Sequence, residues 1–176
     1  TDTYNTAVGY HAGIGVTTAV NNTIIGALAG DALTDADSNV AVGFAALGAD
    51  SMGSLSVAVG SGALNKQNFT TATNSYNTAV GAAAGNEVTT GIQNTLIGGL
   101  AGDALTTGEV NVAVGMSALG AETKGHHSVA LGNSTLAAQN NTTATSVYNT
   151  AVGSLAGNAV TTGTANTLVG GLAGDA

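Results

Sequence analysis

This chain has no cysteine, no proline and no tryptophan among its 176 residues, and only 7% of them are charged and 3% aromatic. Without cysteine there is no disulfide, no zinc–thiolate centre and no thiol nucleophile. Without large side chains, any core must be thin. Lys and Arg number 2 against 10 Asp and Glu, for a net charge of -8. The counterion release that drives nucleic-acid binding is missing, so no nucleic-acid partner is expected. Gly, Asn, Thr and Asp break every apolar run well short of the roughly 18 residues a membrane span needs, so no membrane insertion is expected either.

What the chain has instead is 27 glycines and a recurring phrase. The order Asn/Ser, Thr/Val, apolar, Val/Ile/Leu, Gly occurs ten times, ending at Gly9, Gly26, Gly43, Gly60, Gly81, Gly98, Gly115, Gly132, Gly153 and Gly170. Three intervals of 17 residues are followed by one of 21, making a 72-residue super-repeat. The coil types keep their order. NTAVG coils open at Asn5, Asn77 and Asn149, and NTIIG, NTLIG and NTLVG coils at Asn22, Asn94 and Asn166. NVAVG coils open at Asn39 and Asn111, and SVAVG and SVALG coils, which carry a four-residue extension, at Ser56 and Ser128. Self-similarity at a fixed short period is the mark of a solenoid.

Val, Ile and Thr favour extended backbone, and this much glycine would cost a helix about 1 kcal/mol per residue. Each phrase is therefore read as a short strand, and Val16, Leu33, Val88, Leu105 and Val160 as a second apolar strand further round the coil. The expected fold class is all-β, a parallel β-solenoid of about ten 17- or 21-residue coils, with 1–176 a single repetitive rod. The first residues are the tail of a long coil and the last coil is cut short, so the array is expected to be an excerpt of a longer one. Along a strand, phrase positions two and four share one face and position three takes the other. Position four supplies the expected core column: Val8, Ile25, Val42, Val59, Val80, Ile97, Val114, Leu131, Val152 and Val169. Position three is apolar too, so a second surface has to cover one of the two faces, most economically another copy of the chain.

The leading residues form an expected structural ladder: Asn5, Asn22, Asn39, Ser56, Asn77, Asn94, Asn111, Ser128, Asn149 and Asn166. Stacked amides at the roughly 4.8 Å strand spacing can bond to one another along such a column.

Reactive chemistry finds little footing. His126 and His127, with Glu122 four residues earlier, occur in one coil and not in its counterpart, so they are read as solvated rather than metal ligands. Asp31, Asp103 and Asp175 recur once per super-repeat, too far apart to supply six to eight oxygens to calcium. Gly-rich runs lack the strand-to-helix junction and Lys of a phosphate loop, and no Ser-His-Asp set or carboxylate pair recurs. No enzyme activity, cofactor or metal is expected. Tyr4, Tyr76 and Tyr148 share one phase and read as an aromatic plug where the long coil rejoins the rod. The extensions QNFTTATNSY and QNNTTATSVY are the longest polar segments, and Phe69, Tyr76 and Tyr148 are the candidates for surface contact.

The SVAVG, SVALG and NVAVG phrases resemble the head repeats of trimeric autotransporter adhesins, and the NTAVG and NTLIG phrases resemble repeats of phage tail fibres and related bacterial surface fibres. The resemblance implies a left-handed β-roll, three chains side by side with the apolar strand near the trimer axis, and an extracellular, cell-surface or virion-surface location. It implies a role in reach and attachment, with a host-surface receptor as partner. Three other readings compete: a filament subunit joined end to end, an ice-binding solenoid, which would need an unbroken threonine array, and a left-handed-helix acyltransferase, which would need three apolar hexapeptides per coil.

Overall fold

Each phrase becomes a strand because its β-branched residues alternate across an extended backbone, and each strand is short because the glycine at the phrase's end turns the chain. A computed structural model describes residues 3–175 of the chain. Fourteen strands follow one another: β1 (Thr6–Val8), β2 (Thr23–Ile25), β3 (Val40–Val42), β4 (Gly53–Ser54), β5 (Val57–Val59), β6 (Thr73–Asn74), β7 (Thr78–Val80), β8 (Thr95–Ile97), β9 (Val112–Val114), β10 (Gly125–His126), β11 (Val129–Leu131), β12 (Thr145–Ser146), β13 (Thr150–Val152) and β14 (Thr167–Val169). The described residues contain no helix.

Ten of these strands form one parallel sheet in the order β1-β2-β3-β5-β7-β8-β9-β11-β13-β14. The register follows the repeat, with Thr6 opposite Thr23, Thr23 opposite Val40, Val40 opposite Val57 and Val57 opposite Thr78. The fold is thus a parallel β-solenoid of ten coils, roughly 48 Å long at the usual strand spacing. The second strand expected at Val16, Leu33, Val88, Leu105 and Val160 does not form. Those residues sit in the turns opposite the sheet, where Leu33, Val88 and Leu105 are fully buried.

The expected core column is corrected. Position three fills the interior: Ile24, Ala41, Ala58, Ala79, Leu96, Ala113, Ala130 and Ala151 are all 0% exposed. Position four faces outward, with Val8 at 58%, Ile25 at 39%, Val80 at 37%, Ile97 at 38% and Val169 at 71%, while Val42, Val59, Val114, Leu131 and Val152 are half-buried. The cause is the ladder: positions one and three share a face, and the asparagine at position one points inward to bond across its own coil, so position three goes in with it, whether Ala, Ile24 or Leu96, and position four stays out. The rest of the interior is shared out by coil type. In the first two types a glycine stands four residues past the phrase (Gly30, Gly85, Gly102) and Val or Leu at seven; in the last two a leucine stands at four (Leu47, Leu64, Leu119, Leu136). A side-chain carbon on Gly85 would lie 2.6 Å from Leu96 Cδ1 and 3.0 Å from Leu64 Cδ2, so the space that glycine leaves is already taken by its neighbours.

The glycine ending each phrase has no alternative. Its φ runs from 125° to 138° across the ten coils, a region that side chains rarely adopt. A Cβ on Gly98 would sit 2.6 Å from the carbonyl of Gly115 in the next coil. Gly98→Ala is therefore expected to lower stability by at least about 2 kcal/mol. Gly99→Ala, whose nearest atom would be 3.9 Å away, is expected to stay within about 0.5 kcal/mol of the parent. Denaturant unfolding of the two variants checks the contrast, and equal effects would refute it.

Candidate functional site

Two features stand out from the regular coil: the outer face of the sheet, and a polar interior that recurs where the coils lengthen. Both rest on the ladder. Each ladder side chain works in two directions. Asn94 Nδ2 donates across its own coil to the carbonyl of Gly108 at 2.9 Å, and Asn94 Oδ1 accepts the Asn111 N–H of the next coil at 3.0 Å. The same pair of bonds is made by Asn22 to Ala36 and Asn39, by Asn39 to Gly53 and Ser56, and by Asn111 to Gly125 and Ser128. Asn5, Asn77 and Asn149 do likewise, the last with Asn166 N–H donating to Asn149 Oδ1 at 2.9 Å. Direct bonds between the ladder amides themselves are secondary, at 3.1–3.3 Å, and join only first-type to second-type coils. A second column runs up the opposite turn, where Thr17, Thr34, Thr89 and Thr106 hydroxyls each donate to the next coil's carbonyl.

Serine replaces asparagine at Ser56 and Ser128 because a glutamine takes over there. Gln67 Nε2 donates to Ser56 Oγ at 2.9 Å, and Gln67 Oε1 accepts Asn77 Nδ2 at 2.8 Å. Gln139 does the same with Ser128 at 3.0 Å and Asn149 at 2.7 Å. Each glutamine also donates down to a fully buried acid in the coil before, Gln67 to Asp50 at 2.5 Å and Gln139 to Glu122 at 2.8 Å. Asp50 was missed from the sequence, and Glu122, read there as solvated, is fully buried, though a signal existed: seven residues past the phrase, Val or Leu in two coil types gives way to Asp or Glu and then Gln in the other two.

Asp50 Oδ1 accepts the N–H groups of Gly53 at 3.1 Å and Phe69 at 3.0 Å. Glu122 Oε1 accepts those of Thr123, Lys124, Gly125 and Asn141, while Oε2 accepts Gln139 Nε2 and Asn141 Nδ2. Burial pushes the Glu122 carboxyl up, but the donors from Asn141, Gln139 and Gly125 outweigh it and hold the group below the usual carboxylate range. Asp103, half-buried elsewhere, is moved the other way, by burial first and then by the Glu87 charge, against a backbone hydrogen bond.

The extension now has a structure. Gly53 pairs with Thr73 and Val57 with Thr78, so three residues enter as a loop (70–72, and 142–144 in the second copy) and one more, Ser75 or Val147, enters just before the ladder. Phe69 is only 6% exposed, which removes it from the surface-contact candidates; its ring packs where the short Asp50 leaves room. Tyr76 and Tyr148 are at the surface, 54% and 59% exposed, and Tyr4 is 74% exposed. The plug reading of this tyrosine column is therefore corrected: the buried residue at the rejoining point is Ser75 or Val147. Tyr148 stacks on His127 in the coil before, with ring centroids 5.0 Å apart. His126 and Glu122 are not brought together, since Glu122 is fully buried and His126 Nδ1 accepts the Glu109 N–H at 3.0 Å.

No family model, curated protein or solved structure matches the chain. Its surface must therefore be read directly. Among the described residues no pocket is present and no three metal-ligating groups converge. Those residues include no helix long and apolar enough to cross a membrane.

The outer sheet face is the one extended feature left. Positions two and four of every phrase are Thr, Val, Ile or Leu, and from the residue before the ladder to two past the glycine no coil carries Asp, Glu, Lys or Arg. Tyr10, Phe44 and Met116 border the strands on one side and Leu55, Tyr76, Val110 and Tyr148 on the other, all exposed. Every Asp, Glu, Lys and Arg among the described residues lies on the remaining surface or inside. Five residues wide and ten coils long, the face covers roughly 800 Å².

The ladder's weight can be measured. Asn94→Ala orphans the Gly108 carbonyl and the Asn111 N–H in a dry interior, and is expected to cost about 2–4 kcal/mol by guanidinium unfolding. Asn94→Ser is expected to fare little better, because Ser56 and Ser128 succeed only beside Gln67 and Gln139.

Proposed function

We propose that the chain is a structural segment of an extracellular fibre, of the kind found in phage tail fibres and bacterial surface adhesins, on a virion or cell surface. Its role is mechanical rather than catalytic: it provides reach, and its copies associate side by side through the outer sheet face, as a homotrimer. The observation that carries this is the charge-free face, which is about the roughly 800 Å² per partner that a standard stable interface buries. The phrase resemblance points the same way. The exposed loops 70–72 and 142–144, beside Tyr76 and Tyr148, are the places where a host-surface receptor would touch the rod.

Solution mass by light scattering tests the association. The expected value is three times the 16.7 kDa chain mass, and a monomer at micromolar concentration would sink the reading. Val42→Lys with Val114→Lys puts charge on the face without touching the interior, and is expected to give monomers with the β-sheet circular dichroism of the parent. Long filaments indifferent to that double substitution would favour end-to-end self-assembly instead.

A further inference from the structure

Loops 70–72 and 142–144 are exposed throughout, yet each begins and ends beside one buried anion. Asp50 accepts Gly53 N–H, which opens β4, and Phe69 N–H, which precedes the loop; β6, which follows the loop, pairs with β4. Glu122 stands in the same relation to Gly125, Asn141, β10 and β12. The geometry suits a charged acceptor alone. Six N–H groups converge on Glu122 and three on Asp50, and none of their partners is an acceptor that a proton on the acid could bond. The glutamines cannot turn over to provide one, because Gln67 Oε1 and Gln139 Oε1 already hold Asn77 and Asn149.

The two copies also show that this junction is fitted rather than incidental. Asp50 occurs with Phe69 and Ser75, and the longer Glu122 with Asn141 and Val147. Asn141 Nδ2 donates to Glu122 where Phe69 fills space beside Asp50, and Ser75 meets the Ser56 hydroxyl where Val147 packs against Glu122 and Gly125. Two positions exchange polar for apolar character, and the acid changes length, while the anion remains.

We propose that Asp50 and Glu122 are latches: the negative charge of each holds the following extension, residues 67–76 or 139–148, against the rod, and loss of that charge releases the extension while the ten-strand ladder stays folded. The idea goes beyond the fibre reading and holds whether or not copies associate. For Glu122 the release is an acid event. Its carboxyl lies below its ordinary value in the folded rod, so its hold is complete above the ordinary carboxylate range and is lost as pH falls through the folded value. At the same phase the coil before brings Leu105 and the coil after brings Gln139, neither titratable. Lys124, His126 and His127 follow on its own coil, partly exposed; His126 is engaged with Glu109 and His127 with Tyr148.

Hydrogen–deuterium exchange of the full chain, corrected for intrinsic rates, reads each extension separately. Glu122→Gln keeps the shape but turns one acceptor into a donor facing donors. It is expected to cut the protection of residues 139–148 at least tenfold at neutral pH, leaving residues 67–76 and the long sheet as in the parent. Asp50→Asn is expected to do the converse, so each variant carries its own control. The parent, taken from pH 7 to pH 3, is expected to lose protection over 139–148 before the long sheet does. Unchanged protection of the extension in both variants overturns the proposal. So does loss of both extensions and the sheet together, or failure of both variants to fold, because the acids would then support the rod as a whole.

Discussion

A coil closed in 17 residues encloses very little, and most of this structure answers to that lack of room. The sheet side of the interior admits mainly alanine, the turn side a leucine or valine, and between them an asparagine spans the coil to a carbonyl on the far wall. Coils then stack so closely that each phrase glycine faces the next coil's backbone with nothing between. With so little apolar bulk to bury, the rod depends on repeated hydrogen bonds whose partners lie one coil away, and no buried side-chain nitrogen or oxygen among the described residues goes without a partner.

The four-coil cycle is a way of varying that interior without changing its cross-section. Where leucine moves from seven residues past the phrase to four, the vacated position is taken by Asp50, Gln67, Glu122 or Gln139. A polar group in a dry space must be satisfied completely. The glutamine bridges meet that demand upward, through serine and the next asparagine, and the extension meets it by bringing one more backbone N–H to the acid. The lengthened coil and the buried acid are thus parts of a single arrangement.

Period, strand position, parallel stacking and the ladder column were all legible in the sequence, because a fixed interval forces equivalent residues into register. The inward face was not. Val at position four is larger and more apolar than Ala at position three, and the usual preference for burying the larger side chain overlooks that the inward ladder asparagine at position one takes position three in with it. Backbone conformation was hidden too. The residue before each ladder position has positive φ even when it is Leu55 or Val110, and Leu and Gly alternate at another such site. Leu55 and Val110 hold that shape with an N–H that donates back to the preceding coil, as Val110 does to Ile92 at 3.0 Å, and the leucines of the other site with one that donates forward, as Leu47 does to Ala63 at 3.1 Å. Composition at a single position carries no trace of such a bond. Phe69 misled for a similar reason: an aromatic in a polar loop reads as exposed until the short acid beneath it is known.

The direction of the ladder has a mechanical meaning. Strands lie across the rod, so the bonds between coils point along its length, and a pull on the two ends loads those bonds one interface after another instead of loading the covalent chain. Under such tension a single rod would part at its weakest coil junction and peel from there, since each coil grips only its immediate neighbours. Strands laid flat against a neighbouring rod would bridge every junction at once, so a bundle would share a force that one rod takes in series.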